Sequence, residues 1–246
     1  MIFLCSSSLS AQWTSLETGI NDNLTGLVFL GENAIASGEN GLYYTSTGGV
    51  GASSWTRFEI TGNATDSAIY ENTTFTHCFS EPAGSWTSGF VYACGRDNAS
   101  TKAVIFKIAL PSLEYSIIYQ GPENSKLNKI ACQLGSYIAV GDNGLIVGFT
   151  DNSINTITTS ITDDLLSVDK FQNMVLIGTS YQMYTAVQNE TSLSSIQAIA
   201  TPDIGHRDVV VVNSNNAYAL NAESLRERLS QAAERAWLPS TTFTVR

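Results

Sequence analysis

Two short apolar runs separated by a polar or glycine break recur along the chain. Leu24-Thr-Gly-Leu-Val-Phe-Leu-Gly-Glu-Asn-Ala-Ile-Ala-Ser-Gly38 aligns without gaps on Leu127-Asn-Lys-Ile-Ala-Cys-Gln-Leu-Gly-Ser-Tyr-Ile-Ala-Val-Gly141. A third copy runs from Leu165 to Gly178, one residue shorter. A weaker fourth runs from Arg207 to Asn221, with apolar runs at Val209 to Val212 and Ala217 to Leu220. Runs of this length bounded by turn residues predict a β-hairpin in each copy. Asn40-Gly41 and Asn143-Gly144 follow in the first and third units, and they predict tight turns with positive φ at both residues. Further strands are expected at Trp55 to Ile60, Ile154 to Ser160 and Ser195 to Ile199. Each unit then holds four short antiparallel strands in about 40 residues, the size of a propeller blade.

A longer unit lies between the first two copies, with strands expected at Thr73 to Phe79, Phe90 to Cys94, Val104 to Ile108 and Tyr115 to Tyr119. Its extra length falls in the hairpin carrying Pro82, Gly84 and Trp86. That insertion is either a contact loop or a neutral extension. The expected fold is all-β, a β-propeller of about five four-stranded blade units, whether complete or incomplete, with a C-terminal helix. The units lie near 13–61, 62–121, 122–160, 161–203 and 204–220, so residues 12–220 form the repeat array. Residues 221–246 form a tail of different character. Asn221 to Trp237 has no β-branched residue, Leu225, Leu229, Ala232 and Ala236 share one helical face, and Ser224 with Glu227 forms a capping-box pattern. The helix interrupts the fifth unit after two strands. Either it covers an open edge or the natural reading frame is lost near Asn221. Trp13 to Leu16 or Thr241 to Val245 is available to complete the last blade.

Gly38-Glu-Asn-Gly-Leu-Tyr-Tyr-Thr-Ser-Thr-Gly-Gly49, followed by Ser54-Trp55, resembles the Gly-x-x-Gly-x-x-x-x-Ser-x-Asp-Gly-Gly-x-x-Trp consensus of bacterial neuraminidase (BNR, Asp-box) repeats, which photosystem II stability-factor-like propellers share. Thr47 stands where the Asp of the box would be, and the spacing to the Trp is stretched. The third unit keeps Thr150-Asp151-Asn152 without the Gly-Gly or the Trp. The resemblance implies a fold rather than an activity.

Composition adds constraints. Across 246 residues, 43% are hydrophobic and only 14% charged, with a net charge of −10. That is enough apolar material for a packed core, and it lacks the basic face nucleic acid requires, so no nucleic-acid partner is expected. Residues 1–11 end in Ser-Leu-Ser-Ala and read as a remnant of a signal peptide without its basic start, the alternative being a strand or frayed terminus. A secreted or periplasmic location follows from the first reading, and no membrane span is expected. Cys78 and Cys94 flank the predicted hairpin of the second unit. Placed opposite each other they form either a disulfide or two buried thiols, and Cys132 is expected in a core.

Candidate chemistry is sparse. The BNR resemblance implies testing for a sialidase, whose arginine cluster would have to come from Arg57, Arg96 and Arg207, none of which sits in a catalytic motif. His77 and His206 lie in different units with no partner at ligand spacing. Asp142-Asn143, Asp151-Asn152 and Asp163-Asp164 suit turns better than a calcium loop. No catalytic residue, cofactor or metal is therefore expected. Tyr43, Tyr44, Trp86, Tyr181 and Tyr184, with Trp55, are candidates for a ligand or partner surface, or for filling the space between sheets. Asn23, Asn63, Asn72, Asn98 and Asn189 begin glycosylation sequons, which matter only in a eukaryotic secretory pathway. The expected function is a non-catalytic protein-binding scaffold or assembly factor. The alternatives are a carbohydrate-binding propeller with a glycan partner and a degenerate sialidase-like glycosidase.

Overall fold

A computed structural model describes residues 19–45, 55–59, 64–80, 88–199, 206–213, 216–221 and 244–245. Four sheets each consist of four antiparallel strands in chain order. The first holds β1 (Leu24–Leu30), β2 (Asn33–Gly38), β3 (Gly41–Tyr44) and β4 (Thr56–Arg57). A short helix, α1 (Ala64–Glu71), leads into the second: β5 (Thr73–Ser80), β6 (Gly89–Asp97), β7 (Lys102–Leu110) and β8 (Tyr115–Gln120). The third is β9 (Leu127–Gln133), β10 (Ser136–Gly141), β11 (Ile146–Phe149) and β12 (Ile154–Ile157), and the fourth is β13 (Leu165–Phe171), β14 (Met174–Thr179), β15 (Met183–Asn189) and β16 (Ser192–Ile199). In the fifth sheet β17 (His206–Asn213) and β18 (Asn216–Asn221) are joined by β19 (Thr244–Val245), which runs parallel to β18. The predicted tail helix lies outside the described residues, apart from Asn221, which ends β18.

The first strand of each sheet packs on the first strand of the next, β1 on β5, β5 on β9, β9 on β13 and β13 on β17. The sheets therefore radiate from a common axis with these strands innermost. Four separate cores fill the four gaps. Leu30, Ile35 and Leu42 meet Phe75, Val91 and Phe106; Tyr92, Cys94 and Ile105 meet Ile130, Tyr137 and Phe149. Ile138, Val140 and Ile146 meet Val168, Val175 and Ile177; Leu176 and Met183 meet Val209, Val211 and Ala219. Strand side chains alternate between faces, so a sheet buried on both sides needs apolar residues at consecutive positions. That requirement produces the apolar runs of the repeat.

All five innermost strands carry a β-bulge at the same repeat position. The extra residue is Thr25, Thr76, Asn128, Leu166 and Arg207 in turn. In the first three sheets its side chain donates to the next innermost strand: Thr25 Oγ1 to Phe75 O at 3.0 Å, Thr76 Oγ1 to Leu127 O at 2.6 Å and Asn128 Nδ2 to Leu165 O at 2.9 Å. A bulge re-aims one side chain out of the ladder, and here it stitches neighbouring sheets together.

Three expectations change. The third repeat copy is not shorter, because Leu165 pairs with Thr179 as Leu24 pairs with Gly38, so Thr179 stands in the glycine position. Asn143 and Gly144 take φ of 55° and 70° as expected, but neither Asn40 nor Gly41 has positive φ. Gly41 instead pairs with Gly38, while the Asp22 carboxylate accepts from Asn40 N and Nδ2, both at 2.9 Å. The disulfide between Cys78 and Cys94 is also corrected. Cys78 pairs with Ala93 and Cys94 with His77, so the two thiols lie one register step apart on opposite faces. Cys78 enters the first core and Cys94 the second. Neither forms a disulfide, nor does Cys132, and burial pushes the Cys78 and Cys94 thiols up to about 11 and about 12 respectively.

Candidate functional site

Two groups of side chains stand out from the cores. The first is a cleft between the second and third sheets, and it follows from strand alternation. Tyr92 of β6 pairs directly with Lys107 of β7, and Phe90 lies two residues earlier on the same face. The turn from Thr150 to Ser153, closed by Thr150 N to Ser153 O at 2.8 Å, brings Asp151 against them. Asp151 Oδ1 accepts from Lys107 Nζ at 2.8 Å and from the Tyr92 hydroxyl at 2.7 Å. These donors hold the Asp151 carboxyl below its ordinary range, while burial pushes the Tyr92 phenol up. Lys107 Nζ also sits 3.8 Å from the centroid of the Phe90 ring, within cation–π range. Behind the cleft, Tyr92 packs on Tyr137 at 4.4 Å, and Tyr137 stacks on Phe149 at 4.8 Å. Ile118, Thr150 and Ile154 complete a hollow of about 160 Å³. Tyr92 is its aromatic wall, Ile154 is partly exposed on it, and the Asp151 carboxylate is half open to solvent, with the partly exposed Phe90 alongside Lys107 at its border.

The second group lies on the axis. The residue after each bulge points toward the next sheet, and in chain order these residues are Gly26, His77, Lys129, Ser167 and Asp208. Lys129 Nζ pairs with Asp208 Oδ1, joining the third sheet to the fifth past the innermost strand of the fourth. His77 Nδ1 faces the backbone N–H of Ile130 at 3.5 Å. Burial lowers its pKa to about 4, helped by the positive charge of Lys129 and opposed by Asp208. Asp169 accepts from Val211 N at 2.7 Å and Lys170 N at 2.8 Å, yet burial still raises its carboxyl. This group ties the sheets together at their centre. Among the described residues, no three His, Cys, Asp or Glu side chains are placed to hold a metal ion.

The aromatic candidates are dispersed. Tyr43 is half-buried and donates to Asp22 Oδ2 at 2.9 Å, whereas Tyr44 packs edge-on to Phe58 at 5.0 Å. Tyr184 packs against the core between the third and fourth sheets, and Tyr181 is 71% exposed after β14. Trp86 lies outside the described residues. Tyr43 and Tyr44 belong to the first sheet and Tyr184 to the fourth, so these residues form no common patch. Arg57 is engaged by Glu71 at 3.0 Å and by Asn40 O at 2.9 Å, Arg96 lies at the far end of β6, and the side chain of Arg207 lies outside the described residues. Of the other acidic candidates, Asp164 Oδ1 accepts from Asn143 N and Asp142 Oδ1 from Asn128 Nδ2, each at 2.9 Å. Sequence reading passed over the cleft. Its one visible signal was Lys107, the sole charge within the apolar run from Ala103 to Leu110.

No family model matches the chain, and no curated protein matches it. Solved structures do. Hydrazine synthase of Kuenenia stuttgartiensis is 10% identical with a TM-score of 0.59, over 82% of this chain and 69% of that one. YCF48 bound to D1 peptide is 11% identical with a TM-score of 0.57, over 88% and 68%. The β-propeller domain of Cps50 (Swd1) from Myceliophteria thermophila is 12% identical with a TM-score of 0.56, over 78% and 64%. The chain folds as a β-propeller. It spans about two thirds of each of these propeller-bearing chains, and at such identities the likeness establishes the fold alone. No helix among the described residues is long and apolar enough to cross a membrane.

Proposed function

We propose that this propeller is a non-catalytic scaffold that binds an extended segment of a protein partner in the cleft between its second and third sheets. The observation that carries the reading is the cleft itself, with Ile154 exposed beside the Asp151 carboxylate and Phe90 exposed next to Lys107. A segment pairing an apolar side chain with an Arg or Lys fits those groups. The net charge of −10 would draw such a segment in from a distance. One propeller of similar fold is described as bound to a peptide, which supports a peptide ligand for this chain. The leader-like run at 1–11 supports a secreted or periplasmic site of action, which fractionation of the expressing cells would test.

The test is a peptide array varying basic and apolar positions, followed by solution titration of the best binders. Binding should weaken about tenfold or more on Phe90→Ala or Asp151→Asn, a loss of roughly 1.4 kcal/mol, and should weaken with added salt. A glycan array and a fluorogenic sialoside should both give no signal. Selective glycan binding with a silent peptide array would instead establish the carbohydrate-binding alternative, and sialoside turnover would overturn the non-catalytic reading.

A further inference from the structure

The repeat supplies its own rule for which positions should be covered, and two faces break it. On the innermost strands, Phe75 and Cys78, Leu127 and Ile130, and Leu165 and Val168 face the preceding sheet and are buried. Their counterparts on β1 are Leu24 and Leu27, with Phe29 next along the same face, and they are 47%, 50% and 59% exposed. At the other end of the array Val209 and Val211 are buried against the fourth sheet. Val210 and Val212, which face away from it, are 48% and 53% exposed, and Leu220 on the same face is 40% exposed. Each end of the array thus presents half of the contact that occurs four times inside the chain.

We propose that these halves meet between two copies of this chain, the fifth sheet of one copy packing on the first sheet of the next. The contact continues an interface already present four times within the chain. Val210 stands where Val28 stands in the first sheet, and Leu27 stands where Cys78 stands in the second, in the core that Val28 packs against. Because the two faces differ, the contact is head-to-tail and grows into a ring or an open array. It is independent of the cleft between the second and third sheets.

The test is light scattering and sedimentation of the full chain over about 1–100 μM, with Phe29→Asp and Val210→Asp variants whose melts match the parent. The expected result is concentration-dependent association of the parent and monomers for each variant alone. Mixing the two variants should restore a one-to-one pair, since one keeps an intact fifth-sheet face and the other an intact first-sheet face. A parent that stays monomeric across the range overturns the proposal. So does a variant that associates like the parent, or a mixture that stays monomeric while the parent associates.

Discussion

Gly141→Ala should destabilise the protein by about 2–4 kcal/mol, read as a lower urea midpoint with an unchanged slope. Gly141 has φ −161°, ordinary extended backbone, so its conformation does not demand glycine. Space does. A Cβ there would lie 1.9 Å from the Lys126 carbonyl oxygen and 2.9 Å from Leu127 Cα, both backbone atoms that cannot rotate aside. The close approach is a product of the bulge, which draws the start of β9 over the end of β10. Gly95 is held in the same way, 2.1 Å from Thr74 O, and should be nearly as intolerant. Gly38 is not. Its nearest obstacle is the Asp22 carboxylate, which can swing away, so Gly38→Ala should cost about 1 kcal/mol through the lost bonds to Asn40 and Tyr43. Equal midpoints for Gly141→Ala and Gly38→Ala would show that backbone crowding is not what keeps the glycine. The fourth sheet carries Thr179 at this position, and its hydroxyl accepts from Tyr181 N and Gln182 N to cap the following turn. In the fourth sheet, then, the side chain at this position serves a local hydrogen-bonded turn.

That position also shows what was legible in the sequence. The apolar runs and their glycine ends mark the strands because each sheet is buried on both faces, and the second unit was readable from the same runs despite its long hairpin. Parity was not readable. Whether Cys78 and Cys94 share a face depends on a one-residue register set by the Thr76 bulge, and nothing in the local composition announces a bulge. Helix α1 escaped because its eight residues are too few to show a helical period beside the strand pattern. Its purpose is clear only in three dimensions, where buried Tyr70 accepts from Leu42 N at 3.0 Å. The cleft joins Lys107 to Asp151 across 44 positions, and no spacing rule connects a strand residue to a turn in the next unit. The axis residues Gly26, His77, Lys129, Ser167 and Asp208 share a position but no chemistry, so aligning the copies hides them.

His77 should make the protein lose stability between pH 6.5 and pH 4, by on the order of 2–3 kcal/mol. Its folded pKa is lowered to about 4, below the ordinary 6.5, chiefly because burial disfavours the charged ring. The unfolded chain therefore binds a proton that the folded chain refuses throughout that window. The stabilising contribution is complete above pH 6.5 and declines as the pH falls toward 4. Asp169 acts in the opposite sense. Its raised carboxyl takes up a proton earlier in the folded state than in the unfolded state, which adds stability as the pH falls and partly offsets the histidine. Substituting His77 separates the two. His77→Gln keeps a polar acceptor facing Ile130 N but cannot titrate, so its urea midpoint should fall less than the parent's between pH 7 and pH 4.5. Lys129→Met should act through the same residue, because the Lys129 charge also holds the imidazole neutral. Its loss should raise the folded His77 pKa toward 6.5 and so reduce the decline across the window, while lowering stability at pH 7 by leaving Asp208 without its partner. If His77→Gln and the parent decline in parallel, the acid sensitivity arises elsewhere in the carboxylates and the axis histidine is not its source.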